Sequence, residues 1–201
     1  AITGSSRCLR RYGHILLDGT YGKTLRDRVI KDQVTLCQTE ASKACCVPKD
    51  ATVDRFIAIE PLLNAMAQQG LRGMLDPYLK RWGISLVNQE RNVQLAKQAS
   101  EIGFAPSGLA TIDLSSASDT ITIELVKYLL PKGWFTLFDD ARTSHVEWDG
   151  ASYTNESFST MGNAFTFPLQ CLIFASLVRA AIKLCDCPDH RWRVYGDDII
   201  C

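Results

Sequence analysis

The residues with the clearest chemical potential are two adjacent aspartates in the tetrapeptide Tyr195-Gly196-Asp197-Asp198. Neighbouring carboxylates repel each other, and without a counter-charge this repulsion raises the pKa of a carboxyl group. A divalent cation relieves the repulsion, and Gly196 permits the unusual backbone angle that brings both side chains toward one point. An ordinary Asp-rich hairpin turn has the same residues, so this tetrapeptide alone does not identify a metal site.

A third carboxylate, Asp113, ends the short apolar run of residues 109–112 and precedes a serine-rich loop. The run is too short for a helix and is typical of a strand. The next helix begins too far downstream for Asp113 to cap it. If this strand lies beside the Asp197 turn, three carboxylates converge. That number suits two magnesium ions about 3.5–4 Å apart, the arrangement used for phosphoryl transfer.

Three further residues of possible functional importance lie beside predicted helices. Gly162, in the loop of residues 159–163, allows close approach to a phosphate backbone, and the N-terminus of the helix that follows favours anions. Asn163 carries both a donor and an acceptor for a sugar hydroxyl. Asp119 is either a ligand-contacting group or, like Thr120, a cap for the helix that follows it.

The elements around these residues alternate between strands and helices. The second half predicts a helix at 121–130 ended by Pro131, a hairpin at 134–158 around the Asp149-Gly150 turn, a helix at 166–184 with Pro168 in its first turn, and strands at 193–195 and 199–201. This order predicts an α+β fold, with a sheet that has helices on one face.

The first hundred residues give a less regular pattern. Helices are predicted at 62–69, 74–82 and 88–100, with Gly70 and Gly73 breaking the first two apart and Pro61 and Pro77 in first turns. A turn at residues 105–108 predicts a boundary between a segment at 1–108 and a segment at 109–201.

Composition bounds the class of protein. The chain has 201 residues, 46% of them hydrophobic, which is enough for one large domain or two small ones. Lys plus Arg equals Asp plus Glu at 22 each, so the net charge gives no nucleic-acid signal. Eight scattered cysteines without a signal peptide indicate reduced thiols in a cytosolic protein. The apolar stretch at 164–182 is interrupted by polar residues and predicts a buried helix rather than a membrane span. Because the chain begins without Met and ends in an apolar run, we expect it to be a fragment.

Three segments in order carry a family resemblance. They read Thr111-Ile112-Asp113-Leu114-Ser115-Ser116-Ala117-Ser118-Asp119, Met161-Gly162-Asn163-Ala164-Phe165-Thr166-Phe167 and Val194-Tyr195-Gly196-Asp197-Asp198-Ile199-Ile200. They resemble palm motifs A, B and C of the replicase β subunit of positive-strand RNA bacteriophages, the leviviruses. Linking segments that also resemble the family are Leu130-Pro131-Lys132-Gly133-Trp134-Phe135, Val47-Pro48-Lys49, Asp54-Arg55 and Ile59-Glu60-Pro61. The resemblance runs from about Val47 to the last residue. It departs from the family pattern at Ala164, where Gly is expected, and at Pro168.

The resemblance implies an RNA-directed RNA polymerase that joins the RNA 3′-hydroxyl to the α-phosphate of a nucleotide by two-metal catalysis. The implied fold is a right-hand polymerase palm, with an antiparallel sheet and helices on one face. A mainly helical fingers segment precedes it, a hairpin insertion lies at about 134–158, and the thumb is missing. The implied roles are binding of two Mg²⁺ ions, replaceable by Mn²⁺, by Asp113, Asp197 and Asp198; nucleotide binding by Lys49, Arg55, Asp119 and Asn163; and a template or backbone loop at Ser159 and Gly162.

The implied partners are RNA template and product, nucleoside triphosphates, host translation elongation factors and a ribosomal protein, with no membrane. The implied location is the cytoplasm of an infected bacterial host. Two alternatives stay open. A reverse transcriptase shares the palm, but the small or hydrogen-bonding residues at 115–118 suit ribonucleotides. Alternatively, the fragment binds RNA or metal without chemistry.

Overall fold

The computed structural model describes residues 1–18, 26–31, 33, 35–103, 108–187 and 191–201. These residues form two compact units, each assembled from two stretches of the chain. The first unit combines Ala1–Leu71 with Ser118–Thr166, and the second combines Arg72–Ala117 with Phe167–Cys201. The predicted boundary turn at residues 105–108 lies mostly outside the described residues. The division into fingers and palm segments stays a prediction.

Strands and helices alternate along the chain. The strands are β1 Ile2–Gly4, β2 Leu36–Gln38, β3 Ala41–Pro48, β4 Asp54–Ile59, β5 Thr111–Asp113, β6 His145–Trp148, β7 Ala151–Thr154, β8 Arg193–Tyr195 and β9 Asp198–Ile200. The helices are α1 Ser6–Asp18, α2 Leu62–Arg81, α3 Glu90–Ile102, α4 Ile123–Leu129, α5 Lys132–Ala141 and α6 Thr166–Leu184. A further helical stretch covers residues 26–30. The predicted mixture of helices and sheets is confirmed.

The first unit contains a four-stranded sheet in the order β4-β3-β6-β7. β3 and β4 form an antiparallel hairpin in which Pro48 lies opposite Asp54, and β6 runs parallel to β3. β1 and β2 form a separate parallel pair. The expected mainly helical segment before residue 108 omitted these first four strands. Strands such as β3 mix Ser, Lys and Cys without the alternation of apolar and polar residues that marks a half-buried strand.

Helix α5 corrects the predicted hairpin insertion. The hairpin is confirmed at β6 and β7, but residues 132–141 are helical rather than part of it. Pro131 occupies the N-cap position, and the apolar residues that follow recur at the three- and four-residue spacing of a helix. Phe138 of α5 is fully buried, and its ring meets that of Phe165 edge to face at 4.8 Å. The aromatic residues at 134–138 therefore belong to a helix and not to the hairpin.

Helix α2 corrects a second prediction, because it runs unbroken through Gly70, Gly73 and Pro77. Each glycine costs a helix about 1 kcal/mol relative to Ala, and an interior Pro costs about 3 kcal/mol. Against these costs stands an apolar stripe at four-residue spacing that is buried along the whole helix: Leu63, Ala67, Leu71, Leu75 and Leu79. A fully buried Leu side chain contributes about 1.5–3 kcal/mol, so the stripe outweighs the breakers.

The second unit contains a three-stranded antiparallel sheet in the order β5-β9-β8. Helix α3 packs against β8 and β9. The three strands of this sheet are confirmed, with bounds within two residues of those predicted. The helices α3 and α6 are confirmed with the same accuracy. Among the described residues, α6 alone is long and apolar enough to cross a membrane on length and composition, a test that core helices of soluble proteins also pass. Its residues Phe174, Ala175 and Val178 are buried.

Candidate active site

The two adjacent aspartates lie at a two-residue hairpin turn in the second unit. Tyr195 pairs with Asp198 across the β8–β9 hairpin, which leaves Gly196 and Asp197 as the turn itself. Gly196 has φ +65°, and a positive φ at the first turn position is typical of a type II′ turn, which favours Gly there. The predicted turn is therefore confirmed, and Asp198 is the first residue of β9.

Helix α6 supports this turn from below. The backbone N–H of Gly196 donates to Cys171 Sγ at 3.0 Å. One helical turn earlier, the Phe167 ring meets the Tyr195 ring edge to face at 4.8 Å. A Cβ atom on residue 196 would overlap the Phe167 ring. Glycine is thus required at 196 both for its φ and for the space that Phe167 occupies.

Asp113 lies across the sheet from Asp198. The two residues are paired in the antiparallel β5–β9 ladder, which Ala110 and Cys201 extend through backbone hydrogen bonds of 2.7 and 3.1 Å. Directly opposed residues in an antiparallel pair project to the same face of the sheet. Asp113 and Asp198 therefore share a face, with Asp197 next along the chain.

The pKa of Asp198 reflects the presence of the other two carboxyl groups. Partial burial raises the pKa of Asp198, and the charges of Asp197 and Asp113 raise it further. Among the described residues, no group of three Asp, Glu, His or Cys side chains is already arranged around one point to hold a metal ion. The site is therefore a cluster of repelling acids rather than a preformed cage.

The basic candidates lie in the first unit, at the tip of the β3–β4 hairpin. Lys49 directly follows β3 and Arg55 is the second residue of β4, and both are exposed. The tip is a tight loop in which the Lys49 N–H donates to the Val53 carbonyl at 2.9 Å. Asp50 accepts hydrogen bonds from Thr52, and these bonds lower its pKa. The hairpin thus presents Lys49 on a hydrogen-bonded loop and Arg55 on the strand that follows the loop.

The loop of residues 159–163 is tied to β4 through its backbone. The Ala58 N–H donates to the Met161 carbonyl at 2.8 Å. Gly162 has φ +106°, and a Cβ at this position would overlap the carbonyl oxygen of Ala58. Ser159, on the same loop, is buried. The glycine at 162 is therefore required for a close approach between two backbones.

Asn163 and Asp119 have different surroundings. Asn163 is buried, and its Oδ1 accepts a hydrogen bond of 3.2 Å from the Phe165 N–H at the start of α6. Asp119 is exposed and accepts a hydrogen bond of 3.4 Å from the Ser118 hydroxyl. The proposed cap role of Asp119 or Thr120 is wrong, because Thr122 caps α4 by accepting from the Leu125 N–H at 3.2 Å. Asp119 is left without that structural role.

The sequence of the chain is similar to those of known proteins. The family described as RNA replicase, beta-chain, matches residues 19–201. The RNA-directed RNA polymerase subunit beta of Escherichia virus Qbeta is 44% identical over 160 residues, which are 79% of this chain and 26% of that protein. The corresponding protein of Enterobacteria phage SP is 42% identical over 161 residues, 80% of this chain and 27% of that protein. The RNA-directed RNA polymerase beta chain of Escherichia phage MS2 is 41% identical over 155 residues, 77% of this chain and 28% of that protein.

The chain belongs to the RNA replicase β-chain family. The levivirus resemblance is thereby confirmed. The chain spans roughly a quarter of the length of these relatives. The family match covers the stretches at 111–119, 161–167 and 194–200.

Two residues of this replicase segment that contact candidate site residues were not among those predicted from the sequence. Cys171 lies under the aspartate turn, and burial raises its thiol pKa to about 11, with the Gly196 N–H opposing the shift. Glu60 lies beside Asn163, although 103 positions separate them in the sequence. The sequence signal for Cys171 is its four-residue spacing from Phe167 on α6. Nothing local to Glu60 indicates its partner.

Proposed function

We propose that this chain forms part of the catalytic core of an RNA-directed RNA polymerase, which adds ribonucleoside monophosphates to an RNA 3′-hydroxyl and releases pyrophosphate. The observation that carries the proposal is the pairing of Asp113 with Asp198 beside the Gly196–Asp197 turn. Membership of the replicase β-chain family, and the printed activity of the relatives, support the same reaction. In this reading the second unit's sheet is the palm sheet, and the β3–β4 hairpin belongs to the fingers.

The donor set of the aspartate site fits divalent magnesium. Carboxylate oxygens are the ligands that Mg²⁺ prefers, and Mn²⁺ accepts them as well. Burial raises the pKa of Asp198, and the charges of Asp197 and Asp113 add to the rise; a cation that neutralises the three charges removes this repulsion. Asp113 and Asp197 would hold the ions, with Asp198 supporting them. Bound magnesium supplies acidification of the attacking hydroxyl and stabilisation of the leaving phosphates.

The remaining candidates would bind and orient the substrates. Lys49 and Arg55, exposed on one hairpin tip, would contact the triphosphate of the incoming nucleotide. Asp119 and Asn163 would recognise its ribose hydroxyls. The loop that contains Ser159 and Gly162 would contact the template backbone. Such positioning supplies much of the acceleration in reactions of this kind.

The wider assembly is proposed from the family alone. RNA template and product, nucleoside triphosphates, host translation elongation factors and a ribosomal protein would be the partners. Replication would take place in the cytoplasm of the infected bacterium.

The test is RNA-templated incorporation of labelled ribonucleotides with magnesium. It uses a full-length replicase β subunit that carries this segment, with host factors supplied, and its Asp197→Asn variant. We expect incorporation to fall by more than about a hundredfold in the variant, because a charge-stabilising group at the reacting centre is lost. Asp149→Asn is the matched control, since Asp149 occupies the other hairpin turn, and it should leave incorporation unchanged.

The same assay separates the alternatives. Equal incorporation by Asp197→Asn and the parent would contradict the metal assignment. Preferential use of deoxynucleotides would indicate a reverse transcriptase. No incorporation by any version, together with retained RNA binding, would indicate a binding segment without chemistry.

A further inference from the structure

A cluster of polar side chains lies beneath the loop of residues 159–163 in the first unit. The carboxyl group of Glu60, just past the end of β4, is faced by the Thr143 hydroxyl and by the amides of Gln68 and Asn163. Gln68, Thr143 and Asn163 are all buried. These four residues form the Glu60 cluster.

The Glu60 cluster contains polar atoms that are shielded from solvent without a fully formed hydrogen bond. They are Glu60 Oε2, Asn163 Nδ2, Thr143 Oγ1 and, in the adjoining loop, Thr160 Oγ1. One is a carboxyl oxygen and the others can donate. Buried polar atoms are almost always paired in folded proteins. Burial raises the pKa of Glu60, and the three neighbours oppose that rise, which shows that their polar groups face its carboxyl group.

The orientation of the Asn163 amide is fixed from its other side. Its Oδ1 accepts from the Phe165 N–H at 3.2 Å, so Nδ2 must point the other way and needs an acceptor. Gln68 already accepts from the Ala164 N–H through Oε1 at 3.3 Å and donates to the Ala141 carbonyl through Nε2 at 3.0 Å. The carboxylate of Glu60, which faces Asn163, is the strongest acceptor in the cluster, because charge-assisted hydrogen bonds are about twice as strong as neutral ones.

The backbone of the same segment holds the same loop. Ala58, two residues before Glu60, donates its N–H to the Met161 carbonyl, and the Gly162 backbone lies against the Ala58 carbonyl. Arg55 lies further back on this strand. The residues at 55–60 therefore connect the proposed triphosphate contact to the proposed ribose contact through one continuous piece of chain.

We propose that Glu60 is a positioning residue that holds the Asn163 amide in the orientation needed to recognise ribose, an inference that rests on the proposed polymerase function. Glu60 acts through Asn163 and does not touch the nucleotide. Its contribution is to selectivity between ribose and deoxyribose rather than to the chemical step.

The charge state of Glu60 provides a readout of this role. Burial raises its pKa to about 7, while Thr143, Gln68, Asn163 and the charge of Arg142 oppose the shift. As a carboxylate, Glu60 accepts the Asn163 N–H. As a neutral acid it can donate instead, and an Asn163 amide that turns to accept that proton loses its bond to Phe165. The ribose selectivity of the parent should therefore rise with pH through about 7.

The groups that face Glu60 from other elements do not titrate in the same range. Arg142, which follows α5, is paired with Asp139 through Nε at 2.7 Å. Cys8 of α1 is fully buried, and burial followed by the charge of Glu60 raises its pKa to about 12. The third contribution at Cys8 comes from Asp140. A transition in selectivity near neutral pH would therefore belong to Glu60.

The first experiment measures the ratio of ribonucleotide to 2′-deoxynucleotide incorporation by the full-length subunit across neutral pH. Glu60→Ala should lower the ratio about five- to tenfold at high pH, as expected for one lost hydrogen bond, while the KM for the triphosphate changes little. Glu60→Gln, which like the neutral acid can both accept and donate, should hold the ratio near the parent's low-pH value at every pH and so lose the pH dependence. Glu147→Gln, an exposed glutamate on β6, is the control and should behave as the parent does.

Combining variants tests whether Glu60 acts through Asn163. If it does, Glu60→Ala added to Asn163→Ala should cause no further loss of selectivity. Fully additive losses, or a Glu60→Gln profile as pH-dependent as the parent's, would overturn the proposal.

A second measurement does not depend on polymerase activity. The side-chain amide resonances of Asn163, assigned by their loss in Asn163→Ala, should shift with a midpoint near pH 7 in this chain and not in its Glu60→Gln variant. Resonances that do not titrate would overturn the proposal even if the subunit is active. Titrating resonances in an inactive subunit would establish the contact while the polymerase function itself fails.

Discussion

The chain contains two hairpin turns built from the same two residue types in opposite order. Asp149-Gly150 joins β6 to β7 in the first unit, and Gly196-Asp197 joins β8 to β9 in the second. In the first turn both residues have positive φ, +49° and +76°, as a type I′ turn requires. In the second only Gly196 does. Residue type alone therefore does not distinguish an ordinary turn from a candidate metal site.

The surroundings of the two turns make the difference. A Cβ on Gly150 would meet nothing within 4 Å, whereas a Cβ on Gly196 would overlap the Phe167 ring. The turn at Gly196 also rests on Cys171, and the residue after it lies opposite Asp113. An isolated Gly-Asp-Asp sequence does not show that a helix packs against the turn, or that a third carboxylate lies across the sheet.

Substitution of the two glycines should give the largest contrast. Gly196→Ala should destabilise the chain by about 2–4 kcal/mol, since it combines an unfavourable φ with overpacking against Phe167. Gly150→Ala carries only the φ penalty and should cost about 1–2 kcal/mol. Urea unfolding of both variants beside the parent measures the difference. Equal losses would show that α6 does not support the aspartate turn.

The aspartate turn could be predicted because its signals are local. A short apolar run before Asp113, a glycine before two aspartates and an apolar segment of helical length each lie within a few residues of the chain. These signals predict the positions of β5, β8 and β9, and each strand lies within two residues of its predicted position. What local sequence did not reveal is that Asp113 lies opposite Asp198, since that pairing joins residues 85 positions apart.

The first hundred residues were harder to predict because long-range contacts decide their structure. Gly70 and Gly73 favour a break by propensity, but the buried stripe along α2 keeps the helix continuous. β3 pairs in parallel with β6, about a hundred residues later, and no local pattern announces such a partner. Glu60 likewise has no signal apart from its place in a family-like segment, because Asn163, which faces it, lies 103 positions away.

Removal of Cys171 tests the support of the aspartate turn with a smaller expected effect. Cys171→Ala deletes a fully buried side chain and the sulfur that accepts from the Gly196 N–H. We expect a loss of about 1–2 kcal/mol from the cavity and the weakened turn. Cys185→Ala, at an exposed position after α6, should change stability by less than about 0.5 kcal/mol. A Cys171 variant as stable as the Cys185 variant would contradict a supporting role.

The smallest expected effect is the change in stability when the charge of Asp198 is removed. The sign of this change distinguishes the two turns most clearly. The folded-state pKa of Asp198 is raised above its ordinary value, so the native state binds this proton more tightly than the unfolded chain does. The stability contributed by this proton is present below the ordinary pKa and is lost as the pH rises through the raised one. At neutral pH without divalent ions, Asp198→Asn should therefore stabilise the chain, by less than about 1 kcal/mol because the site is largely exposed.

Adding magnesium should reverse the order of these two proteins. A cation bound by the three carboxylates stabilises the parent by mass action, while Asp198→Asn has lost one donor and gains less. Thermal unfolding of the parent, Asp198→Asn and Asp149→Asn, each in EDTA and in magnesium, measures this order directly. If Asp198→Asn is destabilising in EDTA, the three carboxylates do not repel one another in the folded chain. If magnesium shifts all three melting temperatures equally, it acts on the protein generally and not at the Asp197 turn.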